Sequence, residues 1–96
     1  MSYSLDHILI RQQNRARNLL AIDEVDHYLK CDGPARAYSF YLAFFDGCLD
    51  WKTESRLVKA IMTNNRASLQ NICKDIQKDA WKTIHNIYDR FDARGN

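Results

Sequence analysis

His27 and Cys31 stand four residues apart, a spacing that puts two metal-ligating side chains on one face of a helix. A structural zinc needs four ligands, and no second pair of this kind is present. Asp23, Asp26 and His7 would have to fill the site. A surface imidazole beside a half-buried thiol accounts for the pair better, so no metal is expected. Asp23, Glu24 and Asp26 bring three carboxylates together, which on a helix surface are solvated rather than paired for acid–base chemistry. The chain has no Gly-rich phosphate loop, no His-Glu-x-x-His and no nucleophile elbow. Neither an enzyme nor a cofactor is expected.

Binding chemistry is better represented. The net charge of the 96 residues is only +2, but its halves differ. Residues 1–50 carry five basic against seven acidic side chains, and residues 51–96 carry nine against five. That asymmetry concentrates cations in the C-terminal half, where they are able to meet phosphate. Cys31, Cys48 and Cys73 are odd in number and widely spaced, which is no disulfide framework and suits a reducing compartment. The apolar run Ile8-Leu9-Ile10 is far shorter than a leader or a span of roughly 20 apolar residues. A cytoplasmic chain with no membrane contact is expected.

The elements that would position these groups are helices. Hydrophobic residues make 46% of the chain, while three Gly and one Pro are too few for the turns of a β-sandwich. Ser4 is a candidate cap for a first helix with Leu5, Ile8, Leu9, Ala16, Leu19 and Leu20 on its apolar stripe. A break near Asp23 starts a second, with Val25, Tyr28 and Leu29 inward. Gly33-Pro34 ends that helix and opens the next. Residues 38–45 (Tyr-Ser-Phe-Tyr-Leu-Ala-Phe-Phe) are apolar on nearly every side as a helix, which predicts a central position; as a strand, Phe40, Leu42 and Phe44 would share one face. Pro34 and Gly47 favour the helix. Asp50 caps a helix carrying Leu57, Val58, Ile61 and Met62 that stops at Asn64-Asn65. Leu69, Ile72, Cys73 and Ile76 follow Ser68 as a two-turn helix. Asp79 reads as the cap of a last one, with Ile84, Ile87, Tyr88 and Phe91 inward and Gly95 at its end.

The segments 56–62, 66–73 and 83–95 (Arg56-Leu57-Val58-Lys59-Ala60-Ile61-Met62, Arg66 to Cys73, Thr83 to Gly95) resemble the three-helix core of winged helix-turn-helix regulators. The likeness covers about forty residues, and Cys73 after Ile72 matches the small residue that follows the apolar anchor of the family's second helix. The family's turn usually holds Gly, where this chain has Gln77-Lys78-Asp79. The resemblance implies a recognition helix over 82–91. Burying Ile84, Ile87, Tyr88 and Phe91 would turn Lys82, His85, Asn86 and Asp89 outward. Arg66, Lys78 and Lys82 are then the phosphate candidates, and His85 and Asn86 the base-edge candidates. Trp81 is expected in the core.

The expectation is a single all-α domain over 1–96, a compact bundle of five or six short helices. Its residues 1–49 form an N-terminal helical part that includes the natural dimerisation element, and 50–96 the helix-turn-helix-like part. The expected function is a small DNA-binding transcriptional regulator acting on double-stranded DNA, in keeping with a homodimer on two half-sites. The alternative is a non-enzymatic interaction module, of the phage or plasmid type, that binds and blocks a host protein. Its anchors would come from the aromatic run.

Overall fold

The computed structural model describes residues 5–95, with side chains as far as Arg90. Five helices follow one another, and no strand occurs among the described residues: α1 (Leu5–Leu19), α2 (Glu24–Asp32), α3 (Pro34–Phe45), α4 (Trp51–Met62) and α5 (Arg66–Gly95). Ser4 lies outside the described residues. The all-α class holds, and residues 38–45 are helical rather than a strand.

Punctuation falls where the residue types require it. Gly33 has φ +91°, a conformation that L side chains strain to adopt, and its N–H donates to the carbonyls of Tyr28 and Leu29. Pro34 then occupies the first turn of α3, where a missing N–H costs nothing. Asn64 takes φ +53° after α4. The N–H groups of Asn64 and Asn65 close back on the carbonyls of Ile61 and Ala60, a Schellman arrangement with Asn in place of Gly. Asn65 then caps α5, its Oδ1 accepting from the Ser68 N–H at 3.1 Å. The start expected at Ser68 therefore moves to Arg66.

The main correction concerns the C-terminal half. Instead of a short helix, a turn at Gln77-Lys78-Asp79 and a second helix, α5 runs unbroken for 30 residues, about 45 Å. Three causes act together. Gln77, Lys78 and Asp79 include neither Gly nor Pro, and Gln and Lys are good helix formers. The buried residues Leu69, Ile72, Cys73, Ile76, Ala80, Ile84 and Ile87 keep one helical phase straight across the expected junction. Finally, α1 splints that region from outside: Ala16 packs on Ala80 and Ile84, and the Gln77 side chain donates to the Leu20 carbonyl at 2.9 Å.

α5 is thus a spine with two kinds of neighbour. Around its N-terminal half, α2, α3 and α4 enclose the main core of Ile22, Val25, Leu29, Ala37, Tyr41, Phe45, Leu57, Ala60, Ile61, Leu69, Ile72, Cys73 and Ile76. Along its C-terminal half lies α1, antiparallel, burying Leu9 and Ala16. Leu5 and Ile8, expected in the same stripe, are exposed. Tyr88 is also exposed, its hydroxyl accepting from Arg17 at 3.1 Å. The side chain of Phe91 lies outside the described ones. α3 is not enclosed on all sides: Ala37, Tyr41 and Phe45 are buried, whereas Leu42 and Phe44 face out.

Tyr41, wholly buried, donates its hydroxyl to Glu54 of α4 at 2.6 Å, tying α3 to α4. Burial, with the Glu54 carboxylate second, holds its phenol well above the ordinary value. Tyr41→Phe keeps the packing and removes only this bond, so urea denaturation should show a loss of about 1 kcal/mol. Burial likewise pushes the Cys73 thiol up to about 12, with Asp23 and Asp26 adding to it, which makes it a poor nucleophile.

Candidate nucleic-acid interface

Successive residues of a helix are turned by about 100°, so positions four apart form a nearly straight row. Lys74, Lys78 and Lys82 form such a row on α5, and all three are exposed. Each is about 6 Å further along the axis than the last. None of the three forms an ion pair or hydrogen bond among the described residues. Carboxylates border the row: Asp89, exposed, stands seven residues beyond Lys82 on the same face. Asp75 and Asp79 are each one residue beyond a ridge lysine, about 100° further round, on the side facing a groove of about 530 Å³ between α1, α4 and α5. Lys78 borders that groove as well.

Two more basic side chains come to the ridge from α2. His27, Lys30 and Lys74 line a cleft of about 370 Å³ between α2 and α5, together with Asp23, Asp26, Arg66 and Gln70. Within the cleft Asp26 is fully engaged. Arg66 grips it through Nε and one terminal nitrogen, both at 3.0 Å, and Gln70 adds a bond of 3.1 Å. The Arg66 hydrogen bond holds the Asp26 carboxyl below the ordinary value against the opposing effect of burial. Lys30 is left without an ion-pair partner among the described residues.

That depression has a consequence for stability. A group whose pKa is lower folded than unfolded stabilises the fold above its unfolded value, near 3.9, and loses that contribution as pH falls through the folded value. Melting temperature should therefore drop between pH 6 and pH 3. In Asp26→Asn the drop should be smaller, because the variant is already weakened at pH 6; thermal melts at the two pH values check this.

The sequence candidates separate into three groups. Lys78 and Lys82 stand on the ridge. Arg66 does not join them: its guanidinium is spent on Asp26, and its Cα is roughly 24 Å from that of Lys82 along the helix. Asn86, four residues beyond Lys82, continues the row, and His85, three beyond it, lies about 60° round on its other side, so both base-edge candidates border the ridge. Trp81 is half exposed rather than in the core, its ring 6.0 Å from that of His85. Lys74 and Lys30 were not among the candidates. The four-residue spacing of Lys74, Lys78 and Lys82 was a signal for the first; nothing in the sequence placed Lys30 across from Lys74.

His27 Nε2 and Cys31 Sγ do come together, at 3.9 Å and exposed. Of the three residues that would complete a metal site, Asp26 is held by Arg66 and Gln70. Among the described residues no group of three or more His, Cys, Asp or Glu side chains is placed to hold a metal ion. None of the described helices is long and apolar enough to cross a membrane. What the ridge offers chemically is a line of unneutralised cations with an aromatic ring in it, which suits a polyanion. Compared with protein-family models, curated proteins and solved structures, the chain matches none.

Proposed function

We propose that this chain is a non-enzymatic regulator that binds double-stranded DNA through the outer face of α5. The observation that carries the reading is the row Lys74-Lys78-Lys82, all three exposed and none of them in an ion pair among the described residues. The mode differs from the one the helix-turn-helix resemblance implies. With no turn at Gln77-Lys78-Asp79, a single long helix lies along the duplex, and Lys30 reaches the phosphates from its flank. The major groove admits an α-helix, and cations along its edge neutralise phosphate irrespective of sequence. His85 supplies a donor or acceptor at the far end of the ridge for a base edge. A homodimer belongs to the same proposal, supported by Leu5 and Ile8 on the outer side of α1.

The test is retention of a mixed-sequence 30-base-pair duplex by the purified chain across a salt series. Binding at low salt that weakens steeply as salt rises supports the reading. Absence of binding at 50 mM salt overturns it.

A further inference from the structure

A second surface, on the α2–α3 face, has a different chemistry. Three aromatic rings form an uneven stack there: Tyr28 lies on Phe40 at 4.4 Å between centroids, and Phe44 is tilted by 43° against Phe40 at 4.8 Å. Phe40 also meets the buried Phe45 edge-on at 5.9 Å, which roots the stack in the core. The outer end is open: Phe44 is 65% exposed. Such exposure follows from α3 having one buried face, along Ala37, Tyr41 and Phe45, with Phe40 and Phe44 on its flank toward α2. Beside the rings Arg36 sits over Tyr28, its Cζ 5.9 Å from the centroid. These side chains, with Ser39 and Ala43, line a notch of about 270 Å³.

We infer that this notch docks a partner protein by taking in one aromatic or large aliphatic side chain that has a carboxylate close by in its own sequence. Size and lining fix the first element. The hollow is bounded by rings and by Ala43, which suits one apolar side chain rather than an extended ligand. Tyr, Phe and Arg are residue types that concentrate in interface cores, where one well-packed anchor supplies much of the affinity. Charge fixes the second. Arg36 makes no ion pair among the described residues, and the ring beneath it leaves its planar fork free to accept a carboxylate in bidentate fashion. A nucleic-acid base also stacks on aromatic rings. Arg36 is, however, the sole cation lining the notch, whereas a strand needs a row of them. The Lys ridge belongs to α5, and this surface is built by α2 and α3, so the inference stands apart from the DNA reading.

The experiment is selection of random twelve-residue displayed peptides on the full chain, then fluorescence anisotropy with the most enriched peptide. The expected consensus is a Trp, Phe, Tyr or Leu within three positions of an Asp or Glu. Phe44→Ala should weaken that peptide at least tenfold. Arg36→Glu should do the same and, on reselection, exchange the acidic neighbour for Lys or Arg, which a merely structural arginine would not produce. Both positions are exposed, and unchanged circular dichroism verifies folding. Lys78→Glu/Lys82→Glu should bind the peptide as the parent does. No consensus, or one indifferent to Phe44→Ala, overturns the inference. Dimerisation of the chain abolished by Phe44→Ala overturns it in favour of a second copy. Loss of duplex retention in Phe44→Ala overturns it in favour of base stacking.

Discussion

Asp79→Pro is expected to cost the fold about 3 kcal/mol or more, which is a large share of the stability of a domain this size. Asp79 is exposed, and its side chain makes no hydrogen bond or ion pair among the described residues, so the change removes no side-chain interaction. What it removes is the main-chain N–H in the middle of α5, and the ring collides with the carbonyl one turn back, that of Asp75. The carbonyl of Asp79 accepts from the Thr83 hydroxyl at 3.1 Å, a further sign of helical backbone on both sides. The effect does not stay local. A kink here displaces Ala80 and Ile84 from Ala16 and breaks the Gln77 bond to the Leu20 carbonyl, so α1 loses its seat. Asp79→Gly, which keeps the N–H, should cost about 1 kcal/mol, and Asp79→Ala should change little. The three are compared by urea denaturation followed by circular dichroism. In a helix-turn-helix, Asp79 would stand at a helix start, where proline is accepted; a loss below 1 kcal/mol for Asp79→Pro would place the junction there after all.

That contrast marks how far the sequence was legible. Helix ends set by a special backbone conformation were readable, because Gly33 and Pro34 permit few alternatives, and Asn64-Asn65 offered the left-handed cap that α4 uses. The helix start expected at Asp79 rests on a weaker preference. Asp79 has the chemistry of an N-cap, but capping is worth about 1 kcal/mol. It competes here with an uninterrupted apolar stripe from Leu69 to Ile87 and with a packing partner, α1, that is sixty residues away in sequence. The stripe was visible; the partner was not. The same long-range packing decided the site. Arg66 looked like any other cation until α2 brought Asp26 within 3.0 Å of it. Trp81 looked like core because tryptophan usually is. The continuous helix keeps Ile84 and Ile87 inward and leaves residue 81 on the opposite side. Conversely, the stretch Tyr38 to Phe45 reads as a central helix or, in the alternative, as a source of exposed anchors, and its spacing does not single out Phe44 as the open ring, which follows from how α3 packs.

Reversing two ridge charges, Lys78→Glu/Lys82→Glu, should abolish duplex retention above about 100 mM salt while leaving the fold intact. Both lysines are exposed and unpaired, so their replacement costs stability little. Binding that releases one counterion per neutralised phosphate gives a log–log salt slope of about −0.9 for each contact. Four cations, Lys30, Lys74, Lys78 and Lys82, then predict a slope of about −3.6, or a loss of roughly 150-fold between 50 and 200 mM. With Lys30 and Lys74 alone the slope falls to about −1.8 and the loss over the same interval to roughly 12-fold. The introduced carboxylates lower affinity further at every salt concentration, through repulsion that the slope does not report. Net charge alone would also weaken binding, so the comparison is Lys52→Glu/Lys59→Glu on α4. It changes charge by the same amount at two exposed positions off the ridge. If α5 is the contact, the α4 variant retains a slope near −3.6 and the ridge variant does not. Equal weakening by both variants would mean that DNA feels only the overall charge of the chain, and the ridge would then have no special part in binding.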